Sequence, residues 1–297
     1  MPRWQELFEP MIPGVRVRHL DDPEVKVEEV RHAFVWHPTP GRLAALPNLE
    51  LIVSGGAGVD GILADPHRPR HVPIVRMAGD ETVQRMTEYV CLGALCLLRD
   101  MPRIVRAQHE RRWDKFDPEL TAPDTPVGVL GLGNMGAAAA RALAGLGFPV
   151  TGWSRTPKEV PGVRCLTDLH AVLAGSSILV CLLPATPDTD GILNAATLAM
   201  LPRGAKVLNA ARGTHVVIPD LLAALDSLHL DSAMLDVFSP EPLPPDSPVW
   251  THPRVIVTPH TASLAHPRQR ARYVADAIAA FERGEALPNL YDGSRGY

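Results

Sequence analysis

Cysteine is scarce in this chain and follows no pattern. The four residues, Cys91, Cys96, Cys165 and Cys181, show no CxxC spacing. That argues against a disulfide framework and predicts buried free thiols in a reducing compartment. Long apolar runs are also missing. The longest, YVCLGALCLL at 89–98, is too short to cross a bilayer. The opening MPRWQELFEP lacks the apolar core of a signal peptide. Together these absences predict a cytoplasmic protein with no membrane partner. Neither sign of charge dominates: 29 basic residues face 33 acidic ones, a net charge of −4. That balance excludes a dedicated nucleic-acid surface. There is no internal repeat or low-complexity tract, and the 30 prolines are scattered through turns. His252 and His260 stand eight apart with no cysteine or acid nearby at ligand spacing, so no metal is expected.

What remains is a globular composition, 46% hydrophobic and 21% charged, over 297 residues. That length suits two domains, each with its own core. VRVRHL (15–20), AFVWH (33–37), LELIVSG (49–55) and VPIVRM (72–77) predict short strands with helical or turn material between them. A long helix is predicted from about Thr82 toward Trp113. Val83, Met86, Val90, Ala94, Leu97 and Met101 recur there at spacings of three and four. Pro102 is expected to kink or break it.

A second block starts at TPVGVLGLGNMG (125–136). Strands follow at 149–154, 177–183, 205–211, 232–238 and 255–260, with helices at 136–147, 169–175, 197–201 and 218–227. SILVCLL (177–183) is apolar on both faces, as a strand inside a covered parallel sheet must be. The last segment is helical up to Gly284. The predicted fold class is α/β: two doubly wound parallel-sheet units, the second nested in the first if the final helix packs back.

VGVLGLGNMGAAAA sets Gly131, Gly133 and Gly136 as GxGxxG between a strand and an Ala-rich helix. The first glycine permits a tight turn, the second lets a pyrophosphate approach the backbone, and the third lets helix and strand pack closely. The helix start then offers unpaired N–H groups and partial positive charge to phosphates. Such a turn is commonly followed by an acid that binds the ribose 2′-hydroxyl of NAD. Here GWSRTPK (152–158) has no acid: Ser154, Arg155, Thr156 and Lys158 occupy that stretch. An arginine accommodates the 2′-phosphate that an aspartate would repel. NADP(H) is therefore the expected cofactor, with NAD(H) weaker. The plain alternative is a pair of solvated surface cations.

In an open parallel sheet, ligands bind beyond the carboxyl ends of the strands. Arg212, Glu241 and His260 each follow a predicted strand at that end. Beside a nicotinamide site they form a chemical set, and the residue types fit what reduction of a 2-oxo acid would need. His260 acts as general acid toward the developing alkoxide. Glu241 holds the imidazole and favours its protonated form. Arg212 grips the substrate carboxylate or carbonyl oxygen and polarises it.

GLGNMG, NAARG, MLDVFSPEPLPPDSPVW and VTPHTAS resemble the D-isomer-specific 2-hydroxyacid dehydrogenases. WSRTPK, ARGTHVV and the closing RGY are most similar to the glyoxylate/hydroxypyruvate reductase A branch. The resemblance runs from about residue 30 to the end. It implies a Rossmann cofactor domain (89–269) inserted in a flavodoxin-like substrate domain (1–88 and 270–297). It assigns Arg212, Glu241 and His260 to catalysis. Gly131, Gly133, Asn134, Met135, Gly136, Ser154, Arg155, Thr156, Lys158 and Asp236 fall on cofactor positions. A homodimer is implied, with Trp113 shaping the pocket of the partner subunit or simply packing at the interface. The loop VSGGAGVDGI (53–62) is the expected carboxylate cradle, through the N–H groups of Gly56, Ala57, Gly58 and Val59. A plain strand-to-helix turn is its bland alternative. Ser263 either touches substrate or cofactor or caps a helix.

One departure stands out. Relatives begin with a strand, whereas MPRWQELFEPMIPGVRVRHL reads as helix then strand. The first strand of the substrate sheet is expected to be absent, through either an upstream start or a rearranged sheet. Two functional alternatives stay open. One is an NAD(P)-sensing binding protein like the co-repressors that share this fold. The other is the same chemistry on a bulkier 2-oxo acid.

Overall fold

A computed structural model describes residues 4–293; the closing RGY (295–297) lies outside the described residues. The chain divides into two compact units. One comprises residues up to Thr82 and from Leu264 onward, and the other is Val83–Ser263.

The first unit contains α1 (Trp4–Phe8), β1 (His32–Val35), β2 (Leu51–Ser54), α2 (Asp60–Leu63) and β3 (Ile74–Val75). The three strands form a parallel sheet in the order β1-β2-β3. The central strand β2 is buried on both faces, as its unbroken apolar run requires. Leu51 and Val53 pack with Phe8 of α1 and with Ala271, Val274 and Ile278 of the chain's last helix, Pro267–Glu282. Ile52 points the other way, into a cluster with Leu43, Leu46, Val59 and Ile62. Each such fully buried aliphatic side chain contributes about 1.5–3 kcal/mol.

The strand expected at 15–20 does not form. Val15 and Val17 are partly buried against the α1 cluster, while Arg16 turns outward to Glu29 at 3.0 Å. The alternation is real, but it is satisfied by an extended segment lying on an apolar surface. No ladder partner joins it among the described residues.

The helix expected from 82 to 113 is two helices, α3 (Asp80–Leu98) and α4 (Met101–His109). Between them Asp100 adopts a left-handed conformation (φ 53°), and Pro102 falls in the first turn of α4. A proline there sacrifices no intrahelical hydrogen bond. Helix ends at His109, so Trp113 lies on an irregular arm.

The rest of the second unit runs β4 (Val127–Leu130), α5 (Asn134–Gly145), β5 (Val150–Trp153), β6 (Arg164–Leu166), α6 (Leu169–Ala174), β7 (Ile178–Cys181), α7 (Ala195–Leu198), β8 (Ala205–Asn209), α8 (Ile218–Asp226), β9 (Leu230–Leu235) and β10 (Val255–Val257). The last helix of the chain, α9, is the Pro267–Glu282 segment of the first unit. All seven strands are parallel, in the order β10-β9-β8-β7-β4-β5-β6. Strand order reverses between β4 and β7, the topological switch point of a Rossmann sheet. One face packs Val129, Val180 and Leu208 against α3 and α5; the other packs Leu130, Leu179 and Leu235 against α6 and α8. Edge strand β6 was not foreseen, because RCL is short and only partly buried. Among the described residues, no helix is long and apolar enough to cross a membrane.

Candidate active site

The glycine turn joins β4 to α5, and its three glycines differ in what surrounds them. Gly131 has φ +99°, and a Cβ there would lie 2.7 Å from the Leu182 carbonyl oxygen. A Cβ at Gly136 would run into the Gly131 carbonyl oxygen, so that glycine sets the helix-to-strand approach. A Cβ at Gly133 meets nothing within 4 Å. The backbone there faces open space at the N-terminus of a twelve-residue helix, whose first turn of amides has no helical carbonyls before it. Space plus oriented donors is what a pyrophosphate requires.

Past β5, Ser154 donates its hydroxyl to the Thr156 carbonyl at 2.8 Å. Arg155, Thr156 and Lys158 are exposed. Arg155 lies 3.6 Å from Asp188, an acid on the loop after β7 that sequence reading did not single out. Both partners are exposed, and such pairs contribute about 0–1 kcal/mol. A phosphate dianion would outcompete that contact.

Arg212, Glu241 and His260 follow β8, β9 and β10, which are neighbours in the sheet. His260 Nδ1 and Glu241 Oε2 are 2.6 Å apart, and both side chains are about two-thirds buried. The other oxygen of Glu241 accepts the Phe238 N–H at 2.8 Å. His260 adopts φ 52°, and its N–H donates to the Asp236 carbonyl at 2.8 Å. A histidine in the left-handed region is uncommon and signals a loop held by its surroundings.

The holder is Asp236. It is 1% exposed, and its carboxylate accepts the Thr258 hydroxyl (2.6 Å) and the N–H groups of Thr261 and Ala262 (2.9 Å each). Tyr89 extends the chain by bonding Thr258 Oγ1 at 2.7 Å, and burial pushes its phenol upward. The structure thus places Asp236, expected among cofactor residues, beneath the His260 loop.

Three supports of Arg212 were missed in the sequence. Asn209, fully buried, donates to the Arg212 carbonyl at 2.9 Å and accepts the Ala211 N–H at 3.1 Å. Buried His215 accepts the Arg212 N–H on Nδ1 at 3.3 Å, which leaves Nε2 to donate to the Pro184 carbonyl at 3.2 Å. Gly213 is the third: any Cβ there would run into the backbone of Phe238, the residue that anchors Glu241. The NAARG signature contained two of these, but only the close approach of two loops shows why a glycine follows Arg212.

In the first unit, the 53–62 loop leaves β2. The Gly56 N–H is taken by Ser54 Oγ at 3.3 Å. Among the described residues, the N–H groups of Ala57, Gly58 and Val59 have no acceptor. Three of the four expected donors are therefore open. Ser263 does not cap α9. That role falls to His266, whose Nδ1 accepts the Arg268 N–H at 3.3 Å. Trp113 is 94% exposed on an arm fixed by its neighbours: Arg103 forks onto Asp114 at 2.7 and 3.1 Å, and Arg112 reaches Asp114 at 2.9 Å.

A cluster that no local spacing could foreshadow joins His32, Glu50 and Glu282, whose ligand atoms lie within 4.8 Å of one another. Arg31 binds both carboxylates, at 2.6 and 3.1 Å, so the group is built as an ion-pair network.

A Rossmann sheet with an open glycine turn, and an acid–imidazole pair on the same carboxyl edge, defines a nicotinamide-dependent oxidoreductase. Residues 92–262 match the family model for the D-isomer specific 2-hydroxyacid dehydrogenase NAD-binding domain. The chain belongs to the D-isomer specific 2-hydroxyacid dehydrogenase family. Among similar solved structures is a member from Xanthobacter autotrophicus Py2, in complex with NADPH and MES. It is 47% identical, with TM-score 0.91 over 99% of this chain and 95% of that one. An NADPH-dependent glyoxylate/hydroxypyruvate reductase from Sinorhizobium meliloti, with NADP and sulfate, is 38% identical, with TM-score 0.91 over 98% and 96%. A probable 2-hydroxyacid dehydrogenase from Rhizobium etli CFN 42, with NADP, HEPES and L(+)-tartaric acid, is 36% identical, with TM-score 0.90 over 99% and 95%.

Proposed function

We propose that the protein reduces a small 2-oxo acid, glyoxylate or hydroxypyruvate, to the 2-hydroxy acid with NADPH. The observation that carries the reading is the 2.6 Å contact between His260 Nδ1 and Glu241, on the strand edge that also bears Arg212 and the glycine turn. Relatives crystallised with NADPH or NADP support the choice of cofactor. Gly131, Gly133, Gly136 and the first amides of α5 fit its pyrophosphate, and Arg155 with Lys158 its 2′-phosphate. The bound cofactor supplies a hydride to C2 of the substrate.

The protein's own residues do the rest. With Nδ1 committed to Glu241, Nε2 is the nitrogen that delivers a proton to the carbonyl oxygen as C2 gains its hydrogen. The carbonyl becomes a hydroxyl, and neutral His260 regains its proton from solvent. Glu241 at hydrogen-bond distance of Nδ1 fixes the orientation of the ring before transfer. Arg212 binds the substrate carboxylate or carbonyl oxygen and stabilises negative charge as it grows. The open amides of Ala57, Gly58 and Val59 hold the substrate carboxylate. The four free thiols suit a reducing compartment.

A homodimer is part of the proposal. Trp113, Leu92, Leu95, Ile104, Val105 and Leu120 expose apolar surface on α3, α4 and the arm that follows. The test of function is loss of NADPH absorbance with glyoxylate and hydroxypyruvate. Rapid turnover supports the reading. Tight NADPH binding without turnover of any 2-oxo acid refutes it and favours a sensor. Arg155→Ala is expected to reduce the NADPH-over-NADH preference in kcat/KM by about tenfold or more. An unchanged ratio removes Arg155 from 2′-phosphate recognition.

A further inference from the structure

Among the described residues, Arg270, on the first turns of α9, is the one arginine set among three aromatic rings. Its guanidinium carbon lies 5.0 Å from the Trp4 ring centroid, 5.7 Å from Phe34 and 6.0 Å from Trp36. One nitrogen donates to the Gly55 carbonyl at 3.1 Å. Nε is buried with no hydrogen-bond partner. Among the described residues, no carboxylate pairs with it. Burial alone pulls its proton affinity below the ordinary arginine value, with no acidic neighbour raising it again.

That arrangement is unfavourable by itself. A half-buried cation loses hydration, and rings with one neutral carbonyl return only part of it. Two other partly buried arginines have acids: Arg103 has Asp114, and Arg254 has Asp231. Arg270 is exempt, and its place explains why. It grips the first residue of the turn whose next amides, at Ala57, Gly58 and Val59, have no acceptor. Trp36 completes the support: a Cβ on Gly55 or Gly56 would sit 3.3–3.4 Å from Trp36 atoms, and one on Gly55 would also sit 3.4 Å from the Arg270 fork. The ring therefore packs directly behind the turn. A positive charge and three unpaired donors in one small region lack only an anion.

We infer that Arg270 is a specificity-determining residue of this protein: its unneutralised guanidinium, holding the Gly55 carbonyl, positions the 55–59 turn and makes its open amides select a carboxylate. The inference rests on the reading that this turn receives the carboxylate of the substrate. Arg270 acts through the turn and through its charge, so it is a positioning residue.

The test compares Arg270→Met, which keeps the stem among the rings, with Arg270→Gln, which keeps a donor for Gly55, and Arg270→Lys, which keeps the charge. Oxalate is the probe, titrated by tryptophan fluorescence with NADPH present. KM and kcat are measured with glyoxylate and with its uncharged methyl ester. Loss of one charge beside the site is expected to weaken oxalate and raise the glyoxylate KM about tenfold in the Met and Gln variants. Their kcat and NADPH affinity stay within about threefold, the ester KM is unchanged, and Lys restores most of the loss. The inference is overturned if either neutral variant binds oxalate as wild type does, or if the ester KM rises as much as that of glyoxylate. It is also overturned if wild type fails to bind oxalate. A wild-type protein that binds oxalate, with the expected variant losses, but does not reduce glyoxylate refutes the proposed reaction and leaves Arg270 in place.

Discussion

Replacing Gly133 with alanine separates cofactor binding from folding. The backbone there, φ −75° and ψ −169°, suits any residue, and an added Cβ meets nothing within 4 Å. Losing a glycine at a compatible site changes stability by about 1 kcal/mol or less, in the stabilising direction. The same methyl nevertheless occupies the space through which a pyrophosphate reaches the first amides of α5. One lost charge-assisted hydrogen bond, at about 1.5–3 kcal/mol, weakens NADPH binding about 10- to 150-fold. Gly136→Ala is the control with the opposite profile. Its methyl meets the Gly131 carbonyl oxygen, a backbone group that no rotamer change can move. Overpacking of that kind costs about 1–3 kcal/mol or more. Nucleotide fluorescence titration gives the affinity, and thermal melting without nucleotide gives the stability. Native NADPH affinity in Gly133→Ala refutes the placement of the pyrophosphate. A melting temperature lower by about 5 °C or more refutes the open space.

Gly213→Ala drives the Arg212 loop away from Phe238 and hence from the Glu241 anchor. Misplacement by about 1 Å can lower turnover about 100-fold, so kcat for glyoxylate falls by that order while NADPH affinity holds; native kcat refutes the coupling. Glu241→Gln keeps an acceptor for the Phe238 N–H but removes the charge facing His260. Steady-state kcat is expected to fall about 10- to 100-fold with little change in melting temperature; a change under twofold removes Glu241 from catalysis. Asp114 is held well below the usual carboxylate range by hydrogen bonds from Arg103 and then Arg112. A depressed carboxylate gives its stabilisation above its unfolded value, about pH 3.9, and loses it as pH falls through the lower folded value. Amide protection relative to the intrinsic exchange rate in residues 110–121 is therefore unchanged from pH 7 to about pH 5 and falls only in stronger acid; a loss of protection near pH 6 contradicts the tether.

Much of this was legible in sequence for reasons specific to each segment. SILVCLL reads as a central parallel strand because nothing else buries six consecutive apolar residues between turn signals. GLGNMG carries its geometry in its glycines. The end positions of Arg212, Glu241 and His260 follow once the strands are known. What was not legible depends on through-space neighbours. VRVRHL alternates like a strand, yet only a partner edge makes a ladder, and none pairs with it among the described residues. His215 and Gly213 serve Arg212 through contacts with Pro184 and Phe238, distant in the chain. Arg270 and Gly55 are 215 residues apart, and no periodicity links them.

The arm after α4 holds Trp113 outward on a loop already braced by an arginine fork. A partner that covers this indole meets a finished shape, so docking does not have to order a disordered segment. In the proposed homodimer, association would then resemble the meeting of two rigid bodies, governed by fit rather than by ordering of the arm.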